Sequence, residues 1–286
     1  MSTIPICQYG AEILTNREIG PGLYWIDLLA PEITRHALPG HFVHLIASDV
    51  SEDSSRQTWL RHTPLLRRPF SIAERDPERG VFGLIYRIVG GGTEILATRR
   101  RGERVDVLGP LGKTFEPVHA GRPVVMVAGG VGVAPFLSLA QETARDGRAR
   151  PAEMTVLFGA ATAGLLSGEE KFREYGVDVR LATDDGTTGY HGLVTDLLER
   201  ELASSPRRCA YLYACGPTPM MRRCQEIARE AGIDGQVSLE GIMPCGVGVC
   251  MACVVACTDP GARSSSQRYE RVCDAGPVFD MQEVVL

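Results

Sequence analysis

Five of the nine cysteines lie between Cys245 and Cys273, and their spacing could hold metal. Cys245, Cys250 and Cys253 stand as C-x4-C-x2-C, with Cys273 further on. That order of thiolates matches the ligand spacing of a plant-type [2Fe–2S] cluster. Gly246 and Gly248 would let the loop wrap such a cluster and turn N–H groups toward sulfur, which stabilises a negatively charged centre. Four thiolates also suit a tetrahedral zinc ion, but zinc sites favour two C-x2-C pairs, and Cys250–Cys253 forms only one. Cys257 competes with Cys273 for the fourth place. The stretch CVVAC reads as a strand leaving the loop, and four residues of strand carry Cys257 about 13 Å away. Cys273 is therefore the expected fourth ligand. Cys7, Cys209 and Cys224 read as ordinary thiols. The odd count, and an N-terminus without a basic region followed by an apolar stretch, argue against a disulfide framework and for a reducing, cytoplasmic setting.

Two glycine runs could hold phosphate. In the first, Arg67-Arg68-Pro69-Phe70-Ser71-Ile72 is followed by Ile85-Tyr86-Arg87 and Gly90-Gly91-Gly92-Thr93. Thr93 is expected to cap a helix over 94–101, with Gly102 as its stop. Bare N–H groups at a glycine run, with bidentate donors from Arg68 and Arg87, suit a pyrophosphate. A glycine-rich turn with two solvated arginines is the plainer reading of the same residues. The second run is Gly129-Gly130-Val131-Gly132-Val133-Ala134-Pro135, directly after an apolar strand over 124–128. Its glycines let backbone approach a dinucleotide, and Pro135 fits the first turn of a helix. Cys215-Gly216-Pro217 closes another strand of the same sheet, at the edge where ligands bind. Asp184 and Asp185, in the turn ATDDG, could accept from ribose hydroxyls and would repel a 2′-phosphate, which leans toward NAD; two acids in a solvated turn is the equally plain reading.

The elements that must carry these residues divide the 286-residue chain into three parts. Short strands separated by turns, among them 23–29, 42–47, 81–89 and 104–108, suit an antiparallel barrel over 1–117. From 118 to 238 apolar strands alternate with amphipathic helices, which means a parallel sheet with crossovers. Residues 239–286 form a small cysteine-rich end. The polar segment 48–64 is expected as an exposed loop. The uncharged run Val124–Gln141 has the length of a membrane span, but its glycines and proline fit strand, turn and helix better. A net charge of −5 with no basic block argues against nucleic acid.

Arg-Pro-aromatic-Ser, then Tyr-Arg, then Gly-Thr, in that order, resembles the FAD barrel of the ferredoxin–NADP reductase superfamily. The resemblance implies that Arg68 holds the FAD pyrophosphate, Phe70 packs on the flavin where tyrosine is common, and Ser71 reaches the reactive flavin nitrogen. Pro69, Ile85, Tyr86, Arg87, Gly92 and Thr93 complete the site. It also implies that Gly129, Gly130, Gly132 and Pro135 receive NAD, with Cys215, Gly216 and Pro217 beside the nicotinamide ring. Gly109-Pro110-Leu111-Gly112 matches the same style. A barrel, an NAD domain and a C-terminal cluster loop, in that order, with EGIMPC at 240–245 and VCDAGPVF at 272–279, resemble the electron-transfer subunits of class B dihydroorotate dehydrogenases. The interval from Cys253 to Cys273 and the 48–64 segment are longer than that family suggests.

That resemblance implies FAD, a [2Fe–2S] cluster and NAD as cofactors. The partner would be an FMN-containing catalytic subunit, in a heterotetramer with two of each. Electrons from dihydroorotate would pass through the cluster and FAD to NAD⁺ in pyrimidine biosynthesis, and this chain alone would not oxidise dihydroorotate. A related reductase subunit serving a ferredoxin, a sulfide- or polysulfide-reducing enzyme, or a hydrogenase would carry the same cofactors. A non-catalytic zinc-binding module on the same fold would lack flavin and iron, and the intact RPFS and GGGT segments speak against it.

Overall fold

The computed structural model describes residues 4–49, 66–147, 149–205, 209–258 and 267–286. Most of the polar 48–64 segment lies outside these, as does much of the polar stretch between Cys257 and Arg268.

Six antiparallel strands close a barrel: β1 (Cys7–Gly20), β2 (Leu23–Leu29), β3 (Phe42–Asp49), β4 (Arg68–Asp76), β5 (Val81–Arg87) and β6 (Arg104–Leu111). They are ordered β1-β2-β5-β4-β3-β6. Closure leaves no free edge to pair with another chain. Alternating side chains fill the interior, including Ile13, Ile26, Leu28, Val43, Leu45, Ile72, Leu84, Val105 and Val107. The same two-residue period turns Phe42 and His44 outward from β3. Outside the barrel Phe42 packs in a core that also contains Leu111, Met243, Cys253 and Cys273. Two short helices, α1 (Pro31–His36) and α2 (Gly91–Ala97), accompany the barrel.

The second unit is a sheet flanked by helices. Its strands are β7 (Val124–Gly129), β8 (Met154–Ala160), β9 (Asp178–Thr183), β10 (Tyr190–His191), β11 (Tyr211–Cys215) and β12 (Gly235–Ser238). They pair in parallel in the order β10-β9-β8-β7-β11-β12. The crossover helices are α3 (Ala134–Asp146), α4 (Glu169–Glu174), α5 (Val194–Ser204) and α6 (Thr218–Ala231). The run Val124–Gln141 is thus β7, one 3-10 turn over Gly130–Val133, and the start of α3. Among the described residues no helix is long and apolar enough to cross a membrane.

The tail does not stay apart from this sheet. After the hairpin β13 (Val254–Thr258) and β14 (Gln267–Arg271), strand β15 (Val278–Asp280) pairs antiparallel with β12 as the seventh strand. The Gln225 side chain on α6 donates to the Met281 and Val284 carbonyls at 2.5 and 2.7 Å, pinning the chain end. The Gly276–Pro277 turn meets the barrel at Gly112, where any Cβ would lie 2.5 Å from Pro277. A three-residue strand paired at long range carries no local signal, so the sequence pattern ends before residue 239 although the sheet does not.

Candidate functional site

A cavity of about 680 Å³ opens between the barrel, the β7–α3 turn and the start of the tail. Arg68, Pro69, Phe70 and Ser71 from β4, Ile85, Tyr86 and Arg87 from β5, and Gly92 and Thr93 all line it. Phe70 is nearly buried and meets Tyr86 edge-on at 6.0 Å. Tyr86 stacks on Tyr24 and donates to Asn16 at 2.8 Å, so its hydroxyl is already engaged. The two adjacent arginines differ. Arg67 pairs with Asp106 at 2.6 Å and braces the barrel. Arg68 lines the cavity, and among the described residues its guanidinium bonds the backbone carbonyls of Leu66 and Arg67.

The expected helix over 94–101 is instead α2, three residues earlier, and Gly90 rather than Thr93 is its N-cap. The glycine run itself enters the helix. Thr93 lies in the first turn, where its hydroxyl accepts from the Val89 N–H and donates to the Gly90 carbonyl, both at 2.9 Å. Threonine therefore closes the turn internally, while Gly90 and Gly91 have open space where a Cβ would sit. The helix's C-cap is Thr98, so Gly102, at φ +86°, lies four residues beyond the cap in the turn before β6 and is not the helix stop.

A second cavity of about 600 Å³ lies at the C-terminal edge of the parallel sheet. Gly129, Gly130, Asp184, Gly216 and Pro217 line it. Three other expected contacts do not. Gly132 is a packing glycine, since a Cβ there would lie 2.3 Å from the Cys215 carbonyl oxygen. Pro135 is buried in the first turn of α3, and Ala134 beside it faces the barrel cavity instead. Cys215 is 1% exposed, and burial first, then the Glu240 carboxylate, holds its thiol well above the usual range. Of the two acids in the ATDDG turn, Asp185 bonds Thr187 at 2.6 Å through its side chain, leaving Asp184 to face the cavity.

Arg87, Val131 and Glu240 line both cavities, so the two spaces meet at these side chains. Sequence reasoning missed Val131, and with it the wall made by Leu239, Glu240, Gly241, Ile242 and Met243. The segment EGIMPC held the only sign, as part of a resemblance. Its return onto the barrel is a tertiary contact that no local pattern encodes.

The cysteine loop follows that wall directly. The Gly248 N–H donates to Cys273 Sγ at 3.1 Å, and the Cys250 N–H donates to Cys245 Sγ at 3.4 Å. Cys273 is thereby brought to the loop, where burial, then the neighbouring Cys253 thiol, pushes it up to about 12. Burial would also raise Cys245, but backbone N–H groups of the loop outweigh it and bring that thiol down to about 6. Cys257 points elsewhere. It is buried, bridged to Val284, and its charged neighbours are Arg268, Glu270 and Glu283. Gly246 and Gly248 have φ of +70° and +76°, and the loop's turn depends on these left-handed conformations. Among the described residues no three His, Cys, Asp or Glu side chains converge as ligands of one ion. A two-iron cluster needs two thiolates on each iron, and the loop with Cys273 supplies those four sulfurs and the N–H groups facing them.

The oxidoreductase NAD-binding domain family matches residues 126–226, and the iron-sulfur cluster binding domain of dihydroorotate dehydrogenase B matches residues 240–285. A solved structure described as an NADH-dependent reduced ferredoxin–NADP oxidoreductase superposes with a TM-score of 0.78 at 29% identity, covering 97% of this chain and 90% of that one. The cytochrome b5 reductase domain of Ulva prolifera nitrate reductase shares the fold, with a TM-score of 0.60 at 19% identity over 79% of this chain and 94% of that one. Two curated relatives carry the same name, dihydroorotate dehydrogenase B (NAD(+)), electron transfer subunit. The protein from Desulforamulus reducens is 37% identical over 97% of this chain and 98% of its own length. The protein from Bacillus cereus strain Q1 is 38% identical over 96% and 97%. With barrel, dinucleotide sheet and cysteine loop all in place, the chain belongs to the family of dihydroorotate dehydrogenase B electron-transfer subunits.

Proposed function

We propose that this chain passes electrons from a dihydroorotate-oxidising, FMN-containing catalytic subunit to NAD⁺, through a [2Fe–2S] cluster and FAD. The observation that carries this reading is the shared wall of Arg87, Val131 and Glu240 between the two cavities, with the cysteine loop continuing from that wall. A nicotinamide exchanges hydride, a [2Fe–2S] cluster exchanges single electrons, and a flavin can do either, so the flavin belongs between them.

The chain's own residues bind and orient. Arg68, Arg87 and the open backbone of Gly90–Gly92 offer donors to the FAD pyrophosphate, while Phe70, Tyr86, Pro69 and Ile85 wall the ring and Ser71 offers it a hydroxyl. Gly129, Gly130, Gly216 and Pro217 let a dinucleotide approach the sheet edge. Asp184 favours ribose hydroxyls over a 2′-phosphate, which supports NAD over NADP. Glu240 stands where the cavities join, and desolvation by the surrounding protein raises its carboxyl pKa. Cys245, Cys250, Cys253 and Cys273 hold the cluster. No protein base is needed for hydride transfer between the two rings.

Exposed apolar side chains around the loop support a protein partner: Ile242 is 82% exposed and Val249 77%, with Met251 and Val247 beside them and Cys250 at the surface. Apolar surface gathered at an electron-transfer centre marks a docking face. The expected assembly has two copies of each subunit, which the sedimentation mass of the co-expressed complex checks. A ferredoxin partner is the second reading, favoured by the 29% identical ferredoxin-linked relative. Anaerobic purification followed by a visible spectrum before and after NADH tests the relay. Flavin and iron–sulfur bands that bleach with NADH support it, and a colourless zinc protein overturns it. Reduction of NAD⁺ by dihydroorotate only when the catalytic subunit is added separates that partner from a ferredoxin.

A further inference from the structure

The outward face of β3 holds a buried imidazole that none of these roles uses. His44 is 0% exposed, and neither of its ring nitrogens has a hydrogen-bond partner among the described residues. A buried polar group left unpaired is destabilising, so such a group in a folded protein calls for a partner that pairs with it. Its surroundings narrow the choice. Arg67 bonds the His44 carbonyl at 3.3 Å, not the ring. Phe42 meets the ring edge-on at 5.8 Å, and His44 lines neither the barrel cavity nor the sheet-edge cavity. The cysteine loop packs against the ring. A Cβ built on Gly246 would lie 2.6 Å from Nδ1 and 2.7 Å from Cε1, so the backbone next to Cys245 rests directly on the imidazole.

We propose that His44 donates a ring N–H hydrogen bond to a sulfur of the [2Fe–2S] cluster held by the Cys245 loop, and so raises the cluster's reduction potential. This rests on the reading that the loop holds such a cluster. Burial, then the charges of Arg67 and Arg68, lowers the ring's pKa, and an imidazole carries at least one N–H whether neutral or charged. A donor aimed at cluster sulfur favours the reduced, more negative state, because hydrogen bonds to the sulfurs are among the terms that set the potential. Gly246 then has two tasks: its φ of +70° turns the loop, and its missing Cβ admits the ring. His44 acts through the cluster's surroundings and is a positioning and tuning residue, not a catalytic one.

The test uses the holoprotein with histidine labelled by ¹⁵N. Pulsed EPR of the reduced cluster is expected to show a histidine-nitrogen hyperfine coupling that disappears in His44→Phe, which keeps an aromatic ring but no N–H. Redox titration of His44→Phe is expected to show the cluster about tenfold harder to reduce, a potential lower by about 59 mV for one electron. His44→Gln, which restores a donor, recovers most of the shift. Wild-type protein without the coupling overturns the proposal, as does a coupling or potential unchanged in His44→Phe. If His44→Phe fails to load iron, the wild-type spectrum and His44→Gln still decide. A preparation with no [2Fe–2S] signal at all overturns the cluster reading itself, a different failure from a cluster signal lacking histidine nitrogen.

Discussion

The barrel cavity and the cysteine loop are built from similar parts and turned in opposite directions. Each sets glycines beside donors. At the barrel, Gly90–Gly92 face inward with Arg68 and Arg87, walled on the far side by Leu239–Met243. At the loop, the N–H groups of Gly248 and Cys250 turn toward sulfur, while Ile242, Val249 and Met251 look out to solvent. A cavity closed by three segments suits a cofactor that stays bound, and an exposed apolar rim suits a centre that must exchange electrons with another protein. The two regions touch through β3, where Phe42 lines the cavity and packs in the same core as Cys253 and Cys273.

The largest effect expected is at the loop. Cys273→Ser removes the sulfur that Gly248 meets at 3.1 Å, and the purified protein is expected to lose most of its iron while keeping flavin. Cys257→Ser, at a buried position bridged to Val284, is expected to keep its iron. Iron and flavin contents per chain check both. If Cys257→Ser loses iron and Cys273→Ser does not, the fourth ligand is reassigned.

On the barrel side the matching change is Arg68→Ala. Hydrogen bonds to charged groups contribute about 1.5–3 kcal/mol, so flavin affinity is expected to fall about 10–100-fold with the iron unchanged. Arg67→Ala sharpens the contrast. Its guanidinium is held by Asp106 and by two backbone carbonyls, so a lower melting temperature with little loss of flavin is expected. Flavin titration of the apoprotein, with thermal unfolding, separates the two.

A smaller pair of changes asks what each glycine run is for. Gly132→Ala would drive a Cβ to 2.3 Å from the Cys215 carbonyl oxygen, and overpacking of that kind costs about 1–3 kcal/mol of stability. Gly91→Ala meets nothing within 4 Å, so stability is expected to hold within about 0.5 kcal/mol while flavin binding weakens. Urea unfolding and flavin titration read the two outcomes. Equal stability losses would mean that both runs are packing devices.

This pair also marks how far the sequence could be read. Strand–glycine–helix order located both turns, because apolar runs and glycine punctuation are local signals. Whether a given glycine faces a ligand or a neighbouring carbonyl depends on what packs across from it. Gly132 therefore looked like a cofactor contact until the β11 end was in place. The C-x4-C-x2-C spacing is a local pattern written in residue type, and the fold brings Cys273 to the same loop through the Gly248 N–H. Glu240 and the β12–β15 pairing were not legible, because both depend on the tail returning to elements far from it in sequence.

A pH effect concerns the barrel. His41 is buried, and its Nδ1 accepts the Leu38 N–H at 3.0 Å, which a protonated ring could not do. Burial, with the Arg75 charge, lowers its pKa to about 4 in the folded protein, against 6.5 for a free side chain. Above pH 6.5 the ring is neutral in both states and its contribution to stability is complete. As the pH falls from there toward 4, the unfolded chain takes up a proton that the folded chain refuses. Stability then drops by up to about 1.4 kcal/mol per pH unit, levelling off below 4, where both states are protonated. His41→Gln is expected to make that part of the profile shallower, with the His44 contribution left in place, without moving the acid loss of iron colour at the loop, because thiolate protonation there is a separate event. Urea unfolding between pH 7 and 5, followed by fluorescence and by cluster absorbance, reads the two regions independently. If one substitution shifted both curves together, the barrel and the loop would behave as a single cooperative unit, with β3 as the link between them.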